Sequence, residues 1–195
     1  MRGLQNAASF ATRAFGALGV TMSAGVFLAA ADRMGQLSSR IEVATKAAGT
    51  FDATWSKLIT SSAEVGASLE TTIGTFEGLS NVCEVLGATD AQLVAITRAV
   101  AQLGTIGGAT GERLTQGMQQ FVEAIQRGRF QQEQLEQLTR TMPAVVNLLA
   151  KSFAGGRAEL EKMVAEGRIF GRDVANLMLR QSARSRKPSR KFRPT

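Results

Sequence analysis

Apolar residues recur every three or four positions through the middle of the chain, which is the spacing of one face of an α-helix. Three such stripes follow one another: Ile73, Phe76, Leu79, Val82 and Leu86; then Leu93, Ile96, Val100 and Leu103; then Leu114, Met118, Phe121, Val122 and Ile125. No stretch alternates convincingly with the period of two that a half-buried strand requires. The pattern therefore predicts an all-α fold, an array of short antiparallel helices.

Capping residues and glycines set the predicted ends of these helices. Thr89 or Asp90 is placed to cap the second striped helix, and Thr110 is placed to cap the third. Gly128 is expected to end that third helix. Ahead of the first stripe, Lys57–Val65 is predicted as one more helix.

The segment "AIQRGRFQQEQLEQLTRTMPAVV", residues 124–146, is predicted to hold the helices that follow. Leu135, Leu138 and Met142 continue a helical stripe, while the glutamines fill the outer positions as uncharged helix formers. Pro143 suits the first turn of the next helix, "PAVVNLLAKSF". That helix is apolar on most sides, so we expect it to be central.

Two further helices complete the predicted array. The first lies in "GGRAELEKMVAEG", carries Leu160, Met163 and Val164 on its apolar face, and ends at Gly167. The last runs from about Arg172 to Gln181. So many turns between short helices favour a compact arrangement over an extended one.

The composition excludes several classes of enzyme site. The chain has no His, no Tyr, one Cys and one Trp, so it cannot hold a Ser-His-Asp or Cys-His arrangement of its own. A single Cys also rules out an intramolecular disulfide, which fits a reducing compartment. We interpret Cys83, which lies among apolar residues in "LSNVCEVLG", as a small buried residue and not as a nucleophile.

Two motifs could suggest chemistry, but each has a structural interpretation. "GTIGGATGE", residues 104–112, lacks the Lys-Ser/Thr pair of a phosphate-binding P-loop and follows a helix, so we interpret it as a helix connector. Glu133 and Glu136 lie three apart on a predicted helix, as solvated pairs often do. We therefore predict that the protein is not an enzyme and has no catalytic, cofactor-binding or metal-binding residues.

The basic charge of the chain is concentrated at its C-terminus. The chain carries 23 Lys and Arg against 16 Asp and Glu, and seven of the cations but none of the acids lie after Leu179. Residues 182–195 hold too few apolar groups to fold, so they are predicted to be a disordered basic tail. The candidate nucleic-acid-binding residues in this tail are Arg184, Arg186, Lys187, Arg190, Lys191 and Arg193. A tail without a partner, or out-of-frame sequence after a frameshift, stays open as an alternative.

Residues 14–31, "AFGALGVTMSAGVFLAAA", form an uncharged stretch of 18 residues that has three interpretations. Basic residues before it and "LAAA" at its end are features of a signal peptide, whose removal would release a secreted helical protein. Its length is near that of a membrane span, so it could contact a membrane. Gly16, Gly19 and Gly25 would instead let a Gly/Ala-rich apolar helix within residues 1–36 pack closely against other helices.

Several motifs, in their order and spacing, resemble the N-terminal region of phage tail tape measure proteins. These motifs are "LSSRIEVAT", "TIGTFEGLSNVCEVLGATDAQL", "TGERLTQGMQQF", "QQFVEAIQRGRF", "LEQL" and "LLAKSFAGGRAELEKMVAEGRI". The resemblance runs from about Leu37 to Leu179, within a helical domain predicted to span residues 37–181. The family often carries an acid near Gln134, where this chain has Glu133 instead, so we expect the local turn to differ.

The resemblance implies a phage structural protein that acts in tail length determination, tail-tube assembly and DNA ejection. The implied partners are the tail-tube protein, tail assembly chaperones and further copies of the chain. The implied location is the lumen of the virion tail, after assembly in the bacterial host cytoplasm. The resemblance also favours a non-cleaved helix over a signal peptide at residues 14–31.

Length is the feature that departs from the family. Its members are usually several times longer, and 195 helical residues would span at most roughly 290 Å. We therefore expect a truncated or fragmentary member, derived from a prophage. The alternative from a different class is a small helical protein that binds nucleic acid non-specifically through its basic tail.

Overall fold

Residues 24–185 are the part of the chain that this computed structural model describes, and they form ten α-helices joined by turns. In chain order the helices are α1 (Ala24–Thr45), α2 (Phe51–Val65), α3 (Leu69–Ser80), α4 (Cys83–Leu86), α5 (Asp90–Ile106), α6 (Gly111–Gln126), α7 (Gln132–Thr141), α8 (Pro143–Ala150), α9 (Gly156–Ala165) and α10 (Gly171–Ser185). Within this range the backbone forms no strand, and the all-α prediction is confirmed. The remainder of the predicted N-terminal helix and of the predicted tail lies outside the described residues.

The chain divides into two compact units, and the division falls between Trp55 and Ser56, inside α2. In the first unit, the side chain of Ile41 is completely buried. The buried hydroxyl of Thr45 donates a hydrogen bond to the carbonyl oxygen of Ile41 at 2.7 Å, which satisfies it in the last turn of α1. At the start of α2, the ring of Trp55 stacks on Phe51 with 6.1 Å between the centroids.

In the second unit, α5 lies at the centre of the helical core. Helices α3, α6, α8 and α10 all pack against α5, and α6 also packs against α3 and α7. The predicted stripe of α5 faces these neighbours, and its members Leu93, Ile96, Val100 and Leu103 are buried. Removal of this apolar surface from water is the main favourable contribution to folding.

The apolar stripes of the following helices enter the same core. All the apolar side chains of these predicted stripes are buried: Leu114, Met118, Phe121, Val122 and Ile125 of α6, and Leu135, Leu138 and Met142 at α7. Helix α8 packs against α5, α7 and α9, so the expectation that it is central is confirmed. Val145 and Val146 of α8 are completely buried.

Several helix ends lie where the capping residues, the glycine and the proline predicted them. The side-chain oxygen of Gln92 accepts the backbone N–H of Thr89 at 2.8 Å, and the Thr89 hydroxyl accepts the N–H of Gln92 at 3.4 Å, which forms a capping box for α5. Thr110 occupies the N-cap position of α6, but its side chain makes no capping hydrogen bond there. Gly128 follows α6 with a φ of +77°, and Pro143 begins α8.

Two predicted helix boundaries in the first half of the second unit are wrong. The stripe from Ile73 to Leu86 is not one helix, because α3 ends at Ser80 and α4 begins at Cys83. Gly78, Ser80 and the C-cap residue Asn81 are weak helix formers, so the helix stops although its apolar spacing continues. Cys83 is accordingly half-buried and not buried as predicted, because it starts a helix of four residues in which no residue is buried.

Two other helices are longer than predicted. Helix α2 begins at Phe51 and not at Lys57, because the stacked pair of Phe51 and Trp55 adds a turn that the apolar spacing did not indicate. Helix α10 ends at Ser185, four residues beyond the predicted end at Gln181. Extending an existing helix needs no new nucleus, so the polar residues after Gln181 continue it at little cost.

Only part of the N-terminal region for which predictions were made lies in α1. Of the stretch at residues 14–31, residues 14–23 lie outside the described residues, and the rest begins α1 at Ala24. The predicted boundary between residues 36 and 37 falls inside α1. None of the described helices is both long enough and apolar enough to cross a membrane.

Candidate protein-interaction site

The six candidate nucleic-acid-binding cations lie at or beyond the end of α10. Arg184 is in the last turn of that helix. The other five, which lie outside the described residues, are Arg186, Lys187, Arg190, Lys191 and Arg193. Within residues 24–185, no group of three His, Cys, Asp or Glu side chains is arranged to hold a metal ion.

The glutamines around α7 do not all lie on its outer face. Gln131 and Gln132 are exposed, but Gln134 is only 1% exposed, so the prediction of outer positions is wrong for Gln134. Its side-chain oxygen accepts the backbone N–H of Gln131 at 3.0 Å. The first turn of a helix has unpaired N–H groups, and Gln134 folds back to satisfy one of them.

The carboxylates Glu133 and Glu136 are exposed, as expected of a solvated pair. The amide of Gln137 donates to Glu133 at 3.3 Å, and the amide of Gln132 donates to Glu136 at 3.4 Å. Each partner lies four residues away along α7, on the same face of the helix. The two carboxylates therefore take part in local surface contacts of α7.

Backbone hydrogen bonds join the loop after α6 to the turn before α10. The N–H of Phe130 donates to the carbonyl of Ile169 at 2.9 Å, and the N–H of Gly171 donates to the carbonyl of Gly128 at 2.8 Å. A Cβ atom on Gly171 would lie 2.7 Å from the carbonyl oxygen of Ile125, so this close approach requires glycine. Since Phe130 is also completely buried, the junction is held by both backbone and core contacts.

An open groove with a volume of about 530 Å³ lies beside this junction; we call it the α4 groove. Its apolar wall consists of Val82, Val85 and Leu86, from α4 and the residue before it. Val85 is 74% exposed, and it lies beside the other apolar side chains of this wall. Ile125, at the end of α6, and Phe170, just before α10, extend the apolar lining.

Three arginines, Arg127, Arg129 and Arg172, also line the α4 groove, and its lining contains no acidic residue. The guanidinium carbons of Arg129 and Arg172 lie 5.8 and 5.3 Å from the centroid of the Phe170 ring, within the range of cation–π contacts. Arg127 forms an ion pair of 2.6 Å with Glu123. The groove therefore combines exposed apolar surface with a concentration of positive charge.

Hydrogen bonding fixes the position of Phe170 in this groove. The backbone N–H of Phe170 donates to a carboxylate oxygen of Asp173 at 3.0 Å, in the first turn of α10. A carboxylate there also interacts favourably with the helix dipole. Phe170 is therefore held just before α10, with the guanidinium groups of Arg129 and Arg172 over its ring.

The pattern of the sequence did not predict the α4 groove. The stripe assigned Val82 and Leu86 to the core, and the arginines lie in two segments, "QRGRF" and "IFGRD", about forty residues apart. The local signal was that each segment places Arg beside Gly and Phe. That signal could not indicate a site, because the backbone contacts that bring the segments together are tertiary.

A family model described as "Tape measure protein" matches residues 25–195 of the chain. No curated protein and no solved structure matches it significantly. The matched range includes the helical core, the junction between α6 and α10, and the α4 groove.

Proposed function

Because the chain belongs to the tape measure protein family, we propose that it acts in tail-tube assembly, in tail length determination and in DNA ejection. The family is one of structural phage tail proteins and not of catalysts. The observation that carries the proposal is the family match over residues 25–195, which includes nearly all of the described helices.

The packing of the second unit supports an assembly role for this region. Its helices fold back on one another around α5, which has 17 residues and is therefore roughly 25 Å long. A segment that measures length by its own extension would need a continuous helix instead. We therefore infer that residues 56–185 supply a folded module for contacts with other tail components.

The proposed partners are the tail-tube protein, the tail assembly chaperones and further copies of the chain. The proposed location is the lumen of the tail, which the protein would enter during assembly in the host cytoplasm. Exposed apolar surface at the α4 groove supports a role in protein contacts, because such surface often marks interaction sites.

Co-expression with the cognate tail-tube protein and chaperones tests this proposal. Tubes are counted and measured by electron microscopy with and without the chain, and we expect regular tubes only when the folded chain is present. Phe121→Ala removes a completely buried side chain and should cost roughly 3–5 kcal/mol of stability. The variant should therefore support fewer tubes than the wild type at the same temperature.

The exposed substitution Glu133→Gln is the matched control, since it changes the surface and leaves the core intact. It should assemble tubes as the wild type does. Equal numbers of identical tubes with the wild-type chain, with Phe121→Ala and with no chain at all would contradict the assembly role.

We also propose that the basic C-terminus binds nucleic acid without sequence preference, through Arg184, Arg186, Lys187, Arg190, Lys191 and Arg193. The observation in favour is that seven of the 23 cations and no acid follow Leu179. Retention on DNA at low salt should fall steeply as salt is added, because each phosphate contact releases counterions. Deletion of residues 183–195, which removes all six residues, should abolish retention, and undiminished retention by the truncated chain would place the binding surface elsewhere.

A further inference from the structure

We propose that the α4 groove binds an acidic segment of a partner protein, in which carboxylates lie beside one or two large apolar side chains. This inference rests on the proposed function, because it assigns a partner-binding surface to the same protein. It goes further in naming the surface and the chemistry of its occupant.

The apolar wall of the groove is exposed to solvent. No residue of α4 is buried, and Val85 is 74% exposed. An apolar side chain of a partner could be removed from water against Val85 and Leu86, and burial of apolar surface is the dominant favourable term in most protein associations. The wall therefore favours an occupant with an apolar anchor.

The positive charge of the groove favours a negatively charged occupant. Three guanidinium groups line it without a lining carboxylate, whereas residues 1–179 as a whole contain equal numbers of cations and acids. Arg127 is paired with Glu123, so the excess positive charge in the lining comes from Arg129 and Arg172. A partner segment with carboxylates would complement it, and such complementarity contributes mainly to specificity and association rate.

The termini of the chain itself do not fit the groove. Residues 1–23 contain two arginines and no acid, and residues 186–195 contain five Lys and Arg and no acid. Either segment would bring positive charge to a positive site, which is unfavourable. The occupant is therefore assigned to another protein.

The arginines are arranged to recognise carboxylates. Arg129 and Arg172 lie over the ring of Phe170, and this stacking restricts the planar guanidinium groups before a partner arrives. A guanidinium can donate two parallel hydrogen bonds to one carboxylate. Because the side chains are already restricted, less conformational entropy is lost on binding.

A nucleic-acid strand fits the groove less well than an acidic protein segment. Proteins that bind single strands stack bases on free aromatic faces. Phe170 is the aromatic residue that lines this groove, and two arginines already lie over its ring. The remaining apolar lining consists of Val, Leu and Ile side chains, which suit an aliphatic anchor better than a base.

The test measures binding of a fluorescent synthetic peptide by anisotropy, with the full chain. The probe peptide contains Glu and Leu at helical spacing, separated by Ala. One matched peptide has Lys in place of every Glu, another has Ala in place of every Leu, and a single-stranded oligothymidine represents nucleic acid. We expect the probe peptide to bind and the other three ligands to bind at least about ten-fold more weakly.

Two double variants, which change the net charge by the same amount, test whether the peptide binds in the groove. Arg129→Glu with Arg172→Glu should weaken probe binding at least about ten-fold. Lys151→Glu with Lys162→Glu changes two exposed cations that do not line the groove, and it should change probe binding less than about two-fold. Circular dichroism and thermal midpoints establish that both variants are folded.

Several results would overturn the proposal. Equal weakening by both double variants would mean that overall charge, and not the groove, attracts the peptide. Binding of oligothymidine in preference to the peptide, with loss in the groove variant, would assign the groove to nucleic acid. Self-association that the groove variant abolishes, without peptide binding, would assign it to a second copy of the chain.

The tube assay separates this inference from the proposed function. If the probe peptide fails to bind while the wild-type chain still promotes tube assembly, the occupant assigned to the groove is wrong and the assembly role stands. If the chain has no effect on tubes, the assembly role fails regardless of the peptide result.

Discussion

The apolar spacing of α3 continues at Val82 and Leu86, just before α4 and at its end, but the two helices bury their side chains very differently. In α3, Ile73, Phe76 and Leu79 are completely buried. In α4, no residue is buried, and Val85 is 74% exposed. Helix α3 packs against both α5 and α6, whereas α4 packs against α10. The spacing determines which side chains share a face, but the neighbouring helices determine whether that face is buried.

Helix length and capping contribute to this difference. Helix α3 has 12 residues, and the hydroxyl of its N-cap residue Ser68 accepts the N–H of Thr71 at 3.1 Å. Helix α4 has four residues and no side-chain cap. Short isolated helices are only marginally stable, so α4 depends on its contacts with the rest of the fold. A partner in the α4 groove would add to those contacts.

The largest expected effect tests the buried side of this comparison. Phe76→Ala removes a completely buried ring where α3 packs on its neighbours, and it should lower the free energy of unfolding by roughly 3–5 kcal/mol. Urea unfolding followed by circular dichroism measures this loss. A loss below about 1 kcal/mol would mean that α3 is not part of the stable core.

The second expected effect tests the junction beneath the groove. In Gly171→Ala, the new methyl group would meet the backbone of Ile125, which cannot move aside as a flexible side chain could. Overpacking of this kind should lower the free energy of unfolding by about 2 kcal/mol. The same unfolding assay gives the value.

Gly128→Ala is the control at the other end of the same hydrogen-bonded junction. A methyl group there meets no atom within 4 Å, but the φ of +77° is unfavourable for alanine. We expect a smaller loss, of about 1 kcal/mol. If Gly128→Ala destabilises the chain more than Gly171→Ala, backbone conformation and not close packing determines the stability of the junction.

Much of the core could be predicted from the sequence because its signals are local. In α5, the residues spaced as one helical face, from Leu93 to Leu103, are the ones that are buried. Thr89, a residue type that favours the N-cap position, does cap this helix. The break between α3 and α4 could not be predicted from apolar spacing, since that spacing continues from Leu79 to Val82 across the break.

The candidate site could not be predicted for a different reason. Arg129 and Arg172 approach Phe170 only because the loop after α6 bonds to the turn before α10. These contacts join residues that are far apart in the sequence, and neither segment has a periodic pattern that indicates the other. Gln134 shows the same limit on a smaller scale, because its capping bond depends on where α7 begins.

The third expected effect concerns a buried and an exposed glutamine of α7. Gln134→Ala removes the acceptor of the Gln131 N–H, so it should cost about 1 kcal/mol, as loss of a helix cap does. Gln132→Ala alters an exposed residue and should stay within about 0.5 kcal/mol of the wild type. Thermal unfolding of both variants gives the two values, and equal losses would mean that the bond to Gln131 does not stabilise α7.

The smallest expected effect on stability belongs to the exposed side of the comparison, at Val85. Val85→Asp replaces a side chain that is already 74% exposed, so the free energy of unfolding should change by no more than about 0.5 kcal/mol. Binding of the acidic, leucine-containing peptide should nevertheless weaken at least about ten-fold, because the variant places a like charge on the wall where an apolar anchor would lie. Val85→Leu, which keeps the wall apolar, should bind the peptide within about three-fold of the wild type. If Val85→Asp unfolds the chain, α4 contributes to the core and differs less from α3 than its exposure indicates. If the variant is stable and binds as well as the wild type, the apolar wall does not contact the peptide, and the occupant is held by the arginines alone.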